Sequence, residues 1–186
     1  MLQEQNTILK KELRKQINAF RKSQKHFIAT TRFNNMTWGE NCKMRDKNPT
    51  AKCIYATPIQ ISHRIALDRN VFVIEMNNDM DRIMGIGLIK NHPVAGKYAV
   101  HSVNNYNRFI YIGKWRIDRE QMSDGEKEIF KIFEAICFRG LNHSKRGQGM
   151  TELPMKLQHR SHMAGFNMLD YICEMFRKRM NNDSSK

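Results

Sequence analysis

Between Arg139 and Pro154 the chain reads RGLNHSKRGQGMTELP, a stretch that concentrates groups able to bind an anion. Lys145 and Arg146 are adjacent cations. Gly147 and Gly149 free the backbone to come close to a ligand, and successive N–H groups in such a loop form an anion-binding nest. His143, Ser144, Gln148 and Thr151 add side-chain donors. The chemistry implied for residues 140–154 is contact with a phosphate group.

Other constellations carry less. Gly85-Ile86-Gly87 lies inside a strand-like run, has no third glycine at the required spacing and opens no helix, so it is not a dinucleotide fingerprint. Lys145-Arg146-Gly147-Gln148-Gly149 lacks the Gly-Lys-Ser/Thr of a nucleotide-hydrolysing loop. Glu75, Asp79 and Asp81 fall around one hairpin, but the aspartates read as turn residues rather than as the converging carboxylates of a metal nuclease. Cys42, Cys53, Cys137 and His143 have acceptable chemistry for zinc, yet no Cys-x-x-Cys pair is present. No Gly-x-Ser-x-Gly elbow occurs. The chain therefore reads as non-catalytic, with no metal or cofactor, and its cysteines as reduced thiols of an intracellular protein.

Charge points to the partner. The 186 residues carry 32 Lys plus Arg against 18 Asp plus Glu, a net +14, which favours a phosphate-rich polymer. Basic and aromatic residues occupy two further segments: Arg32, Phe33, Trp38, Lys43, Arg45 and Lys47 in one, Tyr106, Arg108, Tyr111, Lys114, Trp115 and Arg116 in the other. Aromatic rings can stack on or enclose a base while the cations neutralise phosphates. Of these, Trp38, Lys43, Arg45, Arg108, Lys114, Trp115 and Arg116, with His143, Lys145, Arg146, Gly147, Gln148 and Gly149, form the expected nucleic-acid-binding set. RNA or single-stranded DNA is favoured over duplex, because no short turn joins two helices as a helix-turn-helix requires.

The elements that must position these groups read as one α+β domain over residues 1–186. Residues 1–28 give a basic amphipathic helix with Leu9, Leu13, Ile17 and Phe20 on one stripe, which can pack on the domain, bind a partner protein or mediate self-association. Residues 30–118 are β-rich: IYATPIQIS, NVFVIEMN, RIMGIGLIKN and NRFIYIGKWRI are dense in Ile, Val, Phe and Tyr. Asn77-Asn78-Asp79 is turn chemistry for a hairpin, and Gly85, Gly87 and Gly113 mark bends or close backbone approach. Residues 123–180 are helical: Ser123 with Glu126 forms a capping box, Gly140 ends that helix, and a last helix carries Phe166, Leu169, Ile172, Cys173, Phe176 and Met180. No apolar run suggests a membrane span.

The series ATPIQISHRIALDRNVFVIEMN, MGIGLIKN and YIGKWRID resembles the PUA-like superfamily, particularly its EVE and ASCH branches, over residues 30–118. The resemblance implies a small bent barrel holding RNA or a modified base in a cleft, flanked here by N-terminal, middle and C-terminal helices. The function expected is non-catalytic nucleic-acid binding. The alternatives are an architectural or assembly protein of a viral or ribonucleoprotein particle and, remotely, a metal-dependent nuclease.

Overall fold

The computed structural model describes residues 2–96, 98–140 and 143–183, so Leu141 and Asn142 of the basic loop lie outside the described residues. The chain falls into two compact units, Phe27–Glu152 and a helical unit of Met1–His26 with Leu153–Lys186.

The larger unit is built on a mixed sheet. β1 (Phe27–Phe33), β3 (Asn70–Asn77), β4 (Arg82–Lys90), β6 (Trp115–Asp118) and β7 (Thr151–Glu152) form five strands in the order β6-β4-β3-β1-β7. β1 and β3 are parallel, in register from Phe27↔Val71 to Phe33↔Asn77. A parallel pair needs a crossover, and here it contains α2 (Asn35–Lys47) and β2 (Cys53–Thr57). The other pairings are antiparallel, and the β3–β4 hairpin anticipated from sequence turns at Asn78–Asp81, with Asn77 Oδ1 accepting from the N–H groups of Asp79 and Met80.

β1 and β3 are buried along almost their whole lengths, through Ile28, Ala29, Val71, Val73 and Ile74 among others. On α3 (Asp124–Phe138), Phe130, Phe133, Cys137 and Phe138 are buried, whereas Ile132, expected in the core, is 48% exposed. The Ser123 capping box is present, and Gly140 follows the helix with φ +78, as a glycine after a C-cap should. Burial pushes the thiols of Cys53 and Cys137 up to about 12, which keeps both protonated.

The expected barrel is not closed. NRFIYIGKWRI, expected as one strand, breaks at Lys114 into β5 (Phe109–Gly113) and β6. β5 pairs only with β2 in a separate two-stranded ladder, while β6 joins β4. At the break the chain runs close to β4: a Cβ on Gly113 would overlap the Leu88 carbonyl oxygen, so only a glycine fits there. The five-stranded sheet therefore keeps two edges, β6 and the two-residue β7. Ala51, Ile54, Val100 and Ile110 form a second small core against the ladder.

Gly85 and Gly87 also serve close approach. A Cβ on Gly87 would collide with the Tyr55 hydroxyl, and one on Gly85 would lie 2.9 Å from Glu75 Oε2 and 2.8 Å from an Arg116 nitrogen. The glycines make room for a buried polar network. Arg116 grips Glu75 with Nε–Oε1 at 2.9 Å and Nη2–Oε2 at 2.7 Å, and Tyr55 donates to Glu75 Oε1 at 2.7 Å.

In the helical unit, α1 spans Leu2–Ser23, ending short of the expected residue 28 because β1 begins at Phe27. The Phe20 ring lies 5.4 Å from that of His159 and 5.2 Å from that of His162 on α4 (Met155–Met163). α5 (Met168–Asp183) buries Leu169, Ile172, Cys173 and Phe176, as its sequence pattern indicated, whereas Phe166, expected on the same helix, precedes it, and Phe166 and Met180 are only half-buried. The stripe of α1 is split: Ile17 and Phe20 are half-buried, whereas Leu9 and Leu13, with neighbouring Ile8, are 67%, 37% and 66% exposed. Among the described residues, no helix is long and apolar enough to cross a membrane.

Candidate functional site

Parallel pairing brings the C-terminal ends of β1 and β3 side by side, and a cleft of about 490 Å³ opens there. β1 contributes Thr31, Arg32 and Phe33, and the start of α2 adds Asn34, Met36 and Thr37. Asn34 caps α2, accepting from Thr37 N at 2.8 Å, and Asp79 accepts from Asn35 N at 2.8 Å. The β3–β4 turn supplies Asn78 and Asp79, and the end of β2 supplies Thr57 and Pro58. His101, Val103 and Tyr106 form one wall, and the basic loop, through Lys145, Gly147, Gln148 and Gly149, forms another. Met36, Val103 and Tyr106 are 59%, 46% and 41% exposed, so the cleft has apolar and aromatic surface at its mouth.

The loop is held from β1. Arg32 donates to the Ser144 carbonyl at 3.0 Å, the Gly149 carbonyl at 2.6 Å and Thr151 Oγ1 at 2.5 Å. Gly147 and Gly149 have φ of +123 and +64, which a side chain would resist. With carbonyls turned to Arg32, the N–H groups of Gly147, Gln148 and Gly149 meet no protein acceptor among the described residues. The loop anticipated from composition as an anion site is thus tied to β1 by side-chain hydrogen bonds from Arg32. Lys145 is not a free cation: its Nζ lies 2.5 Å from Asp81 and 5.9 Å from the Phe138 ring centre. Arg146 is exposed and has no acidic partner among the described residues.

Opposite the loop lies a histidine–carboxylate pair. His101 is 6% exposed, and its Nδ1 lies 2.9 Å from Glu40 Oε2 on α2, whose Oε1 accepts from Ser102 N at 3.1 Å. Hydrogen bonds from Ser102, and then from His101, hold the Glu40 carboxyl below the usual carboxylate range. The His101 ring makes aromatic contacts with Tyr106 at 6.1 Å and Phe33 at 6.4 Å between ring centres.

Of the residues expected to bind nucleic acid, the structure gathers Lys145, Gly147, Gln148 and Gly149 in the cleft, with Arg146 adjoining. The others lie outside its lining. Trp38 is half-buried, against Phe33 at 5.3 Å and between the guanidinium groups of Arg45 at 5.2 Å and Arg116 at 5.6 Å, so its faces are occupied. Arg116 has a 3% exposed side chain committed to Glu75 and Asp118. Burial opposes its charge, but those two carboxylates outweigh burial and raise its pKa. Lys43, Arg108 and Lys114 are exposed, Trp115 is half-buried in β6, and His143 accepts from Lys145 N within the loop. Arg32 was visible only as one cation of the basic and aromatic segment around Trp38, and Asn78 and His101 were not legible as site residues, since distant segments come together at the cleft. Tyr106 carried a weak signal as part of a basic and aromatic run.

Glu75, Asp79 and Asp81 do not converge: each has a separate partner, in Arg116, Asn35 and Lys145. Among the described residues no His, Cys, Asp and Glu cluster could hold a metal ion. Comparison of the chain with protein families, with curated proteins and with solved structures gives no match.

Proposed function

We propose that this protein binds RNA or single-stranded nucleic acid without catalysis, with a base entering the cleft and a phosphate resting on the glycine loop. One observation carries the reading: the same cleft is lined by Gly147, Gln148 and Gly149, whose backbone N–H groups meet no protein acceptor among the described residues, and by the exposed apolar and aromatic side chains of Met36, Val103 and Tyr106. That combination suits a nucleotide, whose phosphate needs donors and whose base needs a flat apolar contact. The net +14 supplies long-range attraction.

The test is binding of single-stranded RNA, single-stranded DNA and duplex DNA at two salt concentrations. Log affinity should fall linearly with log salt, steeply enough for several phosphate contacts. Replacing Lys145 and Arg146 together by alanine should weaken all sequences alike and make the slope shallower by about one unit per lost contact. Because Lys145 already faces Asp81, most of that change belongs to Arg146, and stability should fall by no more than about 1 kcal/mol. Affinity independent of salt, or no binding at low salt, would overturn the proposal.

The exposed stripe of α1 supports a second reading, assembly through that helix. Ile8, Leu9 and Leu13 offer a seam to another helix, as an unpartnered amphipathic face does. Sedimentation without nucleic acid should then show concentration-dependent association that Leu9→Glu with Leu13→Glu abolishes. A monomer at all concentrations would remove this reading and leave the first intact.

A further inference from the structure

The glycine loop is short of available cations. Lys145 faces Asp81, so of its two cations only Arg146 is without an acidic partner among the described residues. The helical unit is the opposite case. α1 carries Lys10, Lys11, Arg14, Lys15, Arg21 and Lys22 against Glu4 and Glu12, and α4 carries Lys156 and Arg160 with no acid. Phe20 packs its ring against His159 and His162, so two helices of the same sign lie together. Glu12 is spent on Lys15, 3.5 Å away. Lys10, Lys11, Arg14, Lys22, Lys156 and Arg160 are exposed and have no acidic partner among the described residues.

Other solvated helix faces of this molecule are built differently. On α3, Lys127 pairs with Asp124 and Lys131 with Glu128, and on α5 Arg177 pairs with Glu174, each at the i,i+3 spacing. On α1 the same spacings bring like charges together, Lys10 with Arg14 and Lys11 with Arg14 and Lys15, which is unfavourable without a counter-charge. Lys11, Arg14, Lys15 and Lys22 share one side of the helix, beside the stripe of Leu9, Leu13, Ile17 and Phe20. A polyanion along that side relieves the repulsion and releases its own counterions.

We propose that the joined surface of α1 and α4 is a second binding site, which takes the sugar–phosphate backbone of single-stranded nucleic acid whatever its bases. This rests on the nucleic-acid reading above, and it assigns most of the salt dependence to the helical unit rather than to the glycine loop.

The experiment measures binding of fluorescent polyuridine and polyadenosine strands of about 20 nucleotides, longer than the roughly 4–16 that one single-strand-binding domain covers. A salt series is run on three proteins. Beside the parent stand Lys10→Gln with Lys11→Gln and Arg14→Gln, and a control, Lys52→Gln with Arg69→Gln and Lys90→Gln. The control removes the same charge from exposed positions of the larger unit. Glutamine keeps helix propensity, so the α1 variant should melt near the parent. It should bind both strands at least about tenfold more weakly at low salt, with a slope shallower by about two units, at about 0.7 for each lost phosphate contact. The control should move the slope by less than about half a unit. An unmoved slope in the α1 variant, an equal change in the control, or a loss confined to one of the strands overturns the proposal. If the α1 variant does not fold, Lys156→Gln with Arg160→Gln tests the same surface; a slope shallower by about one unit supports the site and an unmoved slope overturns it. No binding by the parent at low salt defeats the nucleic-acid reading itself, whereas parental binding that the α1 variant retains defeats only the helical site.

Discussion

Arg116→Met is expected to lower stability by about 3–5 kcal/mol, the cost of breaking a buried ion pair from one side. The Arg116 side chain is 3% exposed and Glu75 is fully buried, so the variant strands a carboxylate that retains, among the described residues, only the Tyr55 hydroxyl. Methionine fills much of the volume, which isolates the electrostatic loss from a packing loss. The double variant Glu75→Met with Arg116→Met removes both charges and should recover a large part of the loss, because the desolvation penalty disappears with the pair. Urea unfolding of the two variants and the parent measures this directly. A loss under about 1 kcal/mol for Arg116→Met would mean that water reaches Glu75 and that the network is not closed. Arg116 had seemed, from sequence, a residue free to meet phosphate; the same experiment tests whether it holds the fold instead.

Tyr106→Ala is expected to weaken single-strand binding by about 1–3 kcal/mol, or roughly fivefold to over a hundredfold, the range for losing one base–aromatic contact. The ring is 41% exposed at the mouth of the cleft, so its removal opens no large cavity and melting should stay near that of the parent. Trp38→Ala should show the opposite balance. Its ring packs against Phe33 and between Arg45 and Arg116, so truncation should cost stability first. Melting temperature and affinity measured together separate the two variants. Unchanged affinity in a folded Tyr106→Ala protein would exclude this ring as the base contact.

What was legible in the sequence, and what was not, follows the reach of each signal. The β3–β4 hairpin, the Ser123 cap and the glycine after α3 are local features that short spacing reports. The glycine loop was visible from composition because its cations, glycines and donors are contiguous. β1 was missed: FIATTRF is buried on nearly all sides and shows no alternation, and its partner β3 begins far along the chain. α2 was missed because NMTWGENCKMRDK has no apolar stripe, only Asn41 being fully buried, and its capping box uses Thr37 where Glu or Gln is usual. The break at Lys114 was hidden by regular alternation on both sides of it. The cleft needs β1 and α2, so Arg32, Asn78, His101 and Glu40 could not be gathered before those elements were known.

The grip of Arg32 on the loop has a thermodynamic consequence. A glycine-rich segment free in solution loses conformational entropy when it closes on a ligand, about 1–2 kcal/mol for each residue fixed. Here the ends of the loop are tied to β1 through Ser144, Gly149 and Thr151, so that loss is incurred during folding. In the proposed function, binding would then begin from a preorganised backbone, and the encounter would not wait for the loop to order. Loosening the tether with Arg32→Lys would shift the entropic loss back onto association while keeping a cation in the cleft lining.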